Sequence, residues 1–407
     1  MKQIKGGVTA AKGFFAACTA AQIRGTNRDD MAMLYSEAPC AVAGTFTTNV
    51  VQAAPVLWDK QIVEEVGQAQ ALVVNSGIAN ACTGQEGYAY CEEMAAEVGT
   101  LLEIPKQEVF VASTGVIGMQ LPMDRIRSGI EAMAVSLSRE FSAGNGAANA
   151  ILTTDTHAKE CAVEFEIAGK TVTLGGMCKG SGMIHPNMCT MLAFLTTDLA
   201  ISGDLLREAL KEDVADTYNM ISVDGDTSTN DTVLLMANGI AENPCITEKN
   251  EDYGTFREAL RLVNTELSKM IAGDGEGATA LLEVKVIHAK TKEQARIISK
   301  SVVTSNLTKA MLFGHDANFG RVLCAMGYSG AEFDPEMVSL SFESDAGQIE
   351  IFCEGAVLDF DEQRASRILS EPVVTVIADL KEGTEEATAW GCDLTYDYIK
   401  INADYRS

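Results

Sequence analysis

Histidine is scarce in this chain: His157, His185, His288 and His315 are the whole supply. None stands at zinc-ligand spacing from another His. The eleven cysteines run from Cys18 to Cys392 without one Cys-x-x-Cys pair. Such scatter fits neither a metal framework nor a compact disulfide scaffold, so reduced, mostly buried thiols are expected, with no metal site and no bound cofactor. No apolar stretch approaches the roughly 18 residues that suggest a membrane span. The opening Met-Lys-Gln-Ile-Lys-Gly-Gly also lacks the apolar core of a secretion signal. Cytoplasmic residence without membrane contact is the expectation. Basic residues are in deficit, with 31 Lys+Arg against 57 Asp+Glu and a formal charge of −26. A nucleic-acid partner would need clustered Lys and Arg, so none is expected. Periodic repeats, low-complexity segments and a Gly-x-x-x-x-Gly-Lys-Ser/Thr phosphate loop are likewise missing.

What is present reads as a mixed α/β chain. At 407 residues it exceeds the size at which one core usually stops growing, which predicts two packed lobes. The short apolar segments Ala71 to Val74 and Val109 to Ala112, flanked by polar or glycine-bearing turns, predict buried strands. Ile126, Ile130, Met133 and Leu137 follow helical spacing, as do Phe256, Leu260, Val263, Leu267 and Met270. The second helix should stop at Gly273, where the run Gly273 to Gly277 holds helical backbone poorly. Beyond it Leu282, Val284, Val286 and His288 alternate as in a half-exposed strand. Glu276 then falls in the loop between helix and strand.

Thr190 is the residue of chemical interest. Residues 179 to 195 carry a glycine-rich, Pro-containing loop straight into an apolar stretch, so Thr190 lies where a loop enters a buried strand. By local pattern alone it is a β-branched strand residue. A cut before it would instead free an α-amino group beside the hydroxyl. With an unperturbed pKa of about 8, that amine can take the hydroxyl proton and make threonine a nucleophile without any histidine.

The surrounding sequence favours the cut. Lys179 to Leu195 resembles the self-cleavage and nucleophile segment of the ornithine acetyltransferase family, the bifunctional glutamate N-acetyltransferase/amino-acid acetyltransferases. The resemblance extends through Gly-Gly-Val-Thr-Ala-Ala-Lys-Gly-Phe at 6–14 and Ala-Gly-Thr-Phe-Thr-Thr-Asn-Val-Val-Gln-Ala-Ala-Pro-Val at 43–56. It continues through Val74-Asn75-Ser76-Gly77, Ala79 to Gly84, Ser113-Thr114-Gly115-Val116-Ile117-Gly118 and Thr153-Thr154-Asp155-Thr156. Gly275 to Thr279, Asp316 to Arg321 and Lys400 to Ser407 complete it.

The resemblance implies a self-cleaving, N-terminal-nucleophile-like αββα sandwich with a second, smaller lobe. Cleavage between Cys189 and Thr190 would give an alpha chain, 1–189, and a beta chain, 190–407, which build one enzyme, expected as a heterotetramer of two alpha and two beta chains. It implies transfer of an acetyl group from N-acetylornithine to glutamate through acetyl-Thr190, in arginine biosynthesis. Acetyl-coenzyme A is left open as a co-substrate. Thr114 and Gly115 carry over as the oxyanion hole, and Thr153, Lys179, Thr190, Glu276, Asn402 and Ser407 as substrate-binding residues. Read alone, Lys179 would be a solvated loop lysine, Glu276 a surface carboxylate, and Asn402 and Ser407 part of a frayed terminus. Gly180 and Gly182 are expected to permit unusual backbone angles in the cleavage loop, and Pro186 to stiffen it. His185 reads as a packing or solvent-facing side chain. Three positions depart from the family: Cys189 where alanine is common, Ile78 where asparagine is usual, and Phe319 where tryptophan is common. The competing readings are a related self-cleaving aminopeptidase/amidohydrolase, which passes the acyl group to water, and a processed binding protein without turnover.

Overall fold

The computed structural model describes residues 1–25, 27–185 and 191–403. The chain forms two compact units, one of residues 1–180, 187–215 and 227–267, the other of 181–186, 216–226 and 268–407. The expected second, smaller lobe is therefore present. Each unit draws residues from both sides of the 189/190 peptide.

The larger unit is built on one nine-stranded sheet. Its strands begin with β1 (Lys2–Ile4), β2 (Phe14–Thr19), β3 (Met31–Phe46), β4 (Gln68–Asn75) and β5 (Val109–Ser113). They continue with β6 (Lys159–Ile167), β7 (Lys170–Lys179) and β8 (Leu192–Thr197). After β9 (Ile221–Ser222), which belongs to the other unit, comes β10 (Thr232–Ala237). The spatial order is β1-β6-β7-β8-β10-β3-β4-β5, with β2 also paired to β3. Residues 31–36 of β3 pair with β2 and residues 41–46 with β10, and the register with β4 slips between Tyr35 and Cys40, around Pro39, which has no N–H to donate. The strand pairs β4–β5 and β8–β10 are parallel. All of β5, β8 and β10 is buried, as is Ala71 to Val74, which is why these segments read as continuous apolar runs.

Helix Met123–Ala134 buries Ile126, Ile130 and Met133 on one face. Leu137, expected on the same helix, lies beyond its end. Ser138 exchanges two backbone hydrogen bonds with Ala16 of β2, at 2.9 and 3.0 Å, and this draws the chain out of helical geometry. Ile78 is buried and bridges Thr114 and Val116, so its apolar side chain fills core space.

The smaller unit carries a seven-stranded sheet of β9, β11 (Leu281–Ala289), β12 (Ser339–Ser344), β13 (Gly347–Cys353), β14 (Ala356–Val357), β15 (Val373–Asp379) and β16 (Glu385–Cys392). The order is β14-β13-β12-β15-β11-β16-β9. Helix Glu251–Gly273, which belongs to the larger unit through Leu267 and to the smaller one from Ser268, ends at the predicted glycine, with Phe256, Leu260, Val263 and Leu267 fully buried. Along β11 the alternation holds for Leu282, Val284 and Val286 and then breaks. A bulge before Ala289 gives His288 a φ of +53° and turns it outward, where its Nδ1 meets Asp379 Oδ1 at 2.8 Å. Ala289 takes the buried place. Phe319 stacks on Phe352 with ring centroids 5.9 Å apart, keeping an aromatic contact at that departure from the family.

Of the ten described cysteines, Cys40, Cys91, Cys161, Cys178 and Cys392 are buried and Cys82, Cys245 and Cys324 are exposed, so burial is less general than expected. Among the described residues, no helix is long and apolar enough to cross a membrane.

Candidate active site

In the larger unit Thr114 and Gly115 follow β5 directly. Thr114 donates its N–H to the Asn75 carbonyl at 3.0 Å, and Val116 donates to that of Gly77 at 3.1 Å. Asn75 fastens the turn further, accepting from Ser113 Oγ at 2.6 Å and donating to the Ile78 carbonyl at 2.8 Å. Asn230 ties the two loops together through the carbonyls of Ala79 and Ser113, at 2.6 and 2.8 Å. Gly115 has a φ of +130°, and a Cβ there would lie 2.2 Å from the Gly77 carbonyl carbon. Only glycine fits. Among the described residues neither the Gly115 N–H nor the Thr114 hydroxyl has a hydrogen-bond acceptor, so a rigid turn presents two uncommitted donors.

Lys179 ends β7 and Lys159 opens β6. The antiparallel register sets Lys159 opposite Cys178, one residue from Lys179. Both side chains are buried, as is that of Asp155 between them, with exposures of 0% for Lys159 and Asp155 and 2% for Lys179. Lys179 is thus no solvated loop lysine. Asp155 Oδ1 accepts from Lys159 Nζ at 2.7 Å and from the Gly180 N–H at 2.6 Å. Its Oδ2 accepts from the Thr153 N–H at 3.1 Å and lies 3.6 Å from Lys179 Nζ. Burial alone would raise the Asp155 pKa, but Lys179, Lys159 and the hydrogen bonds outweigh it and hold the carboxyl well below the usual range. Asp231, at the entrance of β10, is fully buried and accepts from the Met191 N–H at 3.1 Å. Burial pushes its carboxyl well up.

In the smaller unit Glu276 sits between helix Glu251–Gly273 and β11, as expected, but it is buried. Its N–H donates to the Ser181 carbonyl at 3.0 Å, and its Oε2 accepts from Asn402 Nδ2 at 2.7 Å. Asn402 belongs to helix Tyr396–Ala403, and that turn of chain is not frayed. Gly182 is present for space, since a Cβ on it would lie 2.3 Å from the Glu276 carboxylate. Neither it nor Gly180 is among the glycines of positive φ; Met183 has φ +56° instead. Asp224 holds this stretch by accepting from the N–H groups of Met183 and Ile184 at 2.6 and 2.9 Å. His185 contacts Ser222 Oγ at 3.3 Å, and burial, helped by Lys300, lowers its pKa to about 4.

Cys189, Thr190 and Ser407 lie outside the described residues, as does Pro186. Thr114, Gly115, Thr153 and Lys179 belong to the larger unit, and Glu276 and Asn402 to the smaller. Thr153 and Lys179 share Asp155, and Glu276 and Asn402 touch directly. Asp155 and Asp231 were not singled out by the sequence. Asp155 did stand inside the Thr153–Thr156 motif, whereas Asp231 carried no local signal beyond preceding an apolar strand.

An α/β fold with a buried polar cluster in each unit is compatible with an enzyme acting on small molecules, and the comparisons supply the class. The chain belongs to the ArgJ family, whose model matches residues 15–407. It is 53% identical over 409 residues, covering both chains completely, to the arginine biosynthesis bifunctional protein ArgJ of Symbiobacterium thermophilum. The solved structure of the same-named protein from Bacillus halodurans matches at 42% identity and a TM-score of 0.50, covering 52% of this chain and 97% of that one. An ornithine acetyltransferase from Mycobacterium tuberculosis, solved in complex with ornithine, matches at 38% identity and a TM-score of 0.43, covering 46% of this chain and 98% of that one.

Proposed function

We infer that this chain transfers the acetyl group of N-acetylornithine to glutamate through an acetyl-Thr190 intermediate, after cutting itself between Cys189 and Thr190. The observation that carries the reading is family membership over nearly the whole chain. In maturation the Thr190 hydroxyl attacks the Cys189 carbonyl, the peptide becomes an ester, and water hydrolyses it to leave fragments 1–189 and 190–407. In turnover the freed Thr190 amine accepts the hydroxyl proton as the oxygen attacks the acetyl carbonyl. The tetrahedral oxyanion takes hydrogen bonds from the Thr114 hydroxyl and Gly115 N–H, collapse expels ornithine as the Thr190 ammonium gives its proton to the departing amine, and glutamate repeats the sequence in reverse.

The substrate groups suit the two buried clusters. Lys179 supplies a positive donor for a carboxylate, Glu276 accepts from an amino group, and Thr153, Asn402 and Ser407 complete recognition. No bound cofactor or metal enters this scheme, and acetyl-coenzyme A serves at most as an alternative acetyl donor. The fragments are proposed to stay associated as a cytoplasmic heterotetramer of two alpha and two beta chains, a stoichiometry that light scattering would give. The test pairs a denaturing gel with kinetics. Wild type is expected as two polypeptides, the second beginning at Thr190, with parallel double-reciprocal plots for N-acetylornithine and glutamate; Thr190→Ala stays full length and inactive. Efficient cutting of that variant, or acetyl release to water in place of glutamate, would sink the reading.

A further inference from the structure

Lys159, Asp155 and Lys179 form a buried group of two cations and one anion, and the two lysines are not held alike. Lys159 is hydrogen-bonded to Asp155 at 2.7 Å, whereas Lys179 lies at 3.6 Å, close enough for attraction but beyond hydrogen-bond reach. Lys179 is therefore drawn toward the carboxylate without spending an N–H on it. At 2% exposure for Lys179 the charges are little screened by water, and the buried Asp231 also acts electrostatically on Lys179. The same carboxylate also receives the N–H groups of Thr153 and Gly180, so one side chain ties the stretch 153–159 to the end of β7. A flexible lysine left to itself in such a place would have no defined geometry.

We propose that Asp155 is a positioning residue that aims the Lys179 ammonium at the α-carboxylate of the amino-acid substrate, and so makes the site discriminate ligands with that carboxylate from those without it. The proposal rests on the reading of Lys179 as a substrate-binding residue. It extends that reading to a residue that need not touch the ligand at all.

The experiment compares two ligands that differ only in the group at issue, ornithine and 1,4-diaminobutane, by calorimetric titration of the purified, processed enzyme. Wild type should prefer ornithine by about tenfold or more, the value of one charge-assisted pair. Asp155→Asn should bring that preference to about threefold or less, chiefly by weakening ornithine while leaving the diamine nearly unchanged. A fall in affinity for both ligands alike would mean a merely structural role, and a retained preference would mean that Lys179 does not depend on Asp155; either result overturns the proposal, as does a wild type that does not distinguish the ligands. Should Asp155→Asn leave an unpaired buried cation that prevents folding, Asp155→Asn with Lys159→Gln removes one charge of each sign and tests the same point, with thermal melting as the fold control. Acetyl transfer by wild type is followed in parallel. Its absence alongside an intact ornithine preference would refute the transferase reading and leave this one standing.

Discussion

The proposed role of Thr114 and Gly115 as donors needs groups that no other acceptor claims, and among the described residues none does. In a turn fastened by Asn75 and Asn230, their geometry is set before substrate arrives, which is what makes such donors effective. Thr114→Val keeps the shape and removes the hydroxyl. Steady-state kinetics should show kcat lower by roughly a hundred- to a thousandfold, with KM changed little. His185 gives a separate, pH-dependent signal. Its folded pKa of about 4 lies below the ordinary histidine value of 6.5, so between those values the unfolded chain binds the extra proton. Its contribution to stability is complete above pH 6.5 and is lost as the pH falls toward 4. Melting temperatures measured from pH 7.5 to 4.5 should fall less steeply for His185→Gln than for wild type; parallel curves would remove His185 from the account. At this scale local pattern was mute. Lys179 and Glu276 stand among glycines and polar neighbours, where local pattern reads exposure. Their burial depends on Asp155 and Asn402, which are distant in sequence or masked within a polar run.

Among elements, those whose signal is local came through best. Helix Glu251–Gly273 stops where glycine makes continued helix costly, and β4 and β5 read as strands because both their faces are covered. The misses arise where another segment competes for the backbone. Ser138 pairs with Ala16 and withdraws Leu137 from its helix, and the bulge in β11 reverses the phase of His288. Helix Tyr396–Ala403 presents a comparable case in a functional setting, since Asn402 reaches Glu276 from near the chain end. Deleting residues 402–407 should raise KM for N-acetylornithine at least several-fold while fragment production on a gel proceeds as in wild type. Unchanged kinetics would return this segment to ordinary surface structure.

For the whole molecule, the two units and the two expected fragments are different divisions of one chain. The presence of two lobes could be anticipated from length, but their composition could not, because strands adjacent in the sheet are far apart in sequence. β8 and β10 lie between β7 and β3, and both follow residue 190. Expressed by itself, segment 1–189 should therefore collect in the insoluble fraction, with two sheet edges unpaired, whereas co-expression with 190–407 should restore soluble protein. A soluble, monodisperse 1–189 would contradict this sheet order.

The same placement sets a schedule. Met191 is gripped on both sides by the start of β10, its N–H by Asp231 and its carbonyl by the N–H of Thr232 at 3.2 Å. A nascent chain whose residues 231–237 are still inside the ribosome lacks both of these holds on Met191. On the proposed reading, cleavage before Thr190 is therefore expected only once β10 has joined the sheet, so that the timing of synthesis itself would guard against a break that strands half a sheet.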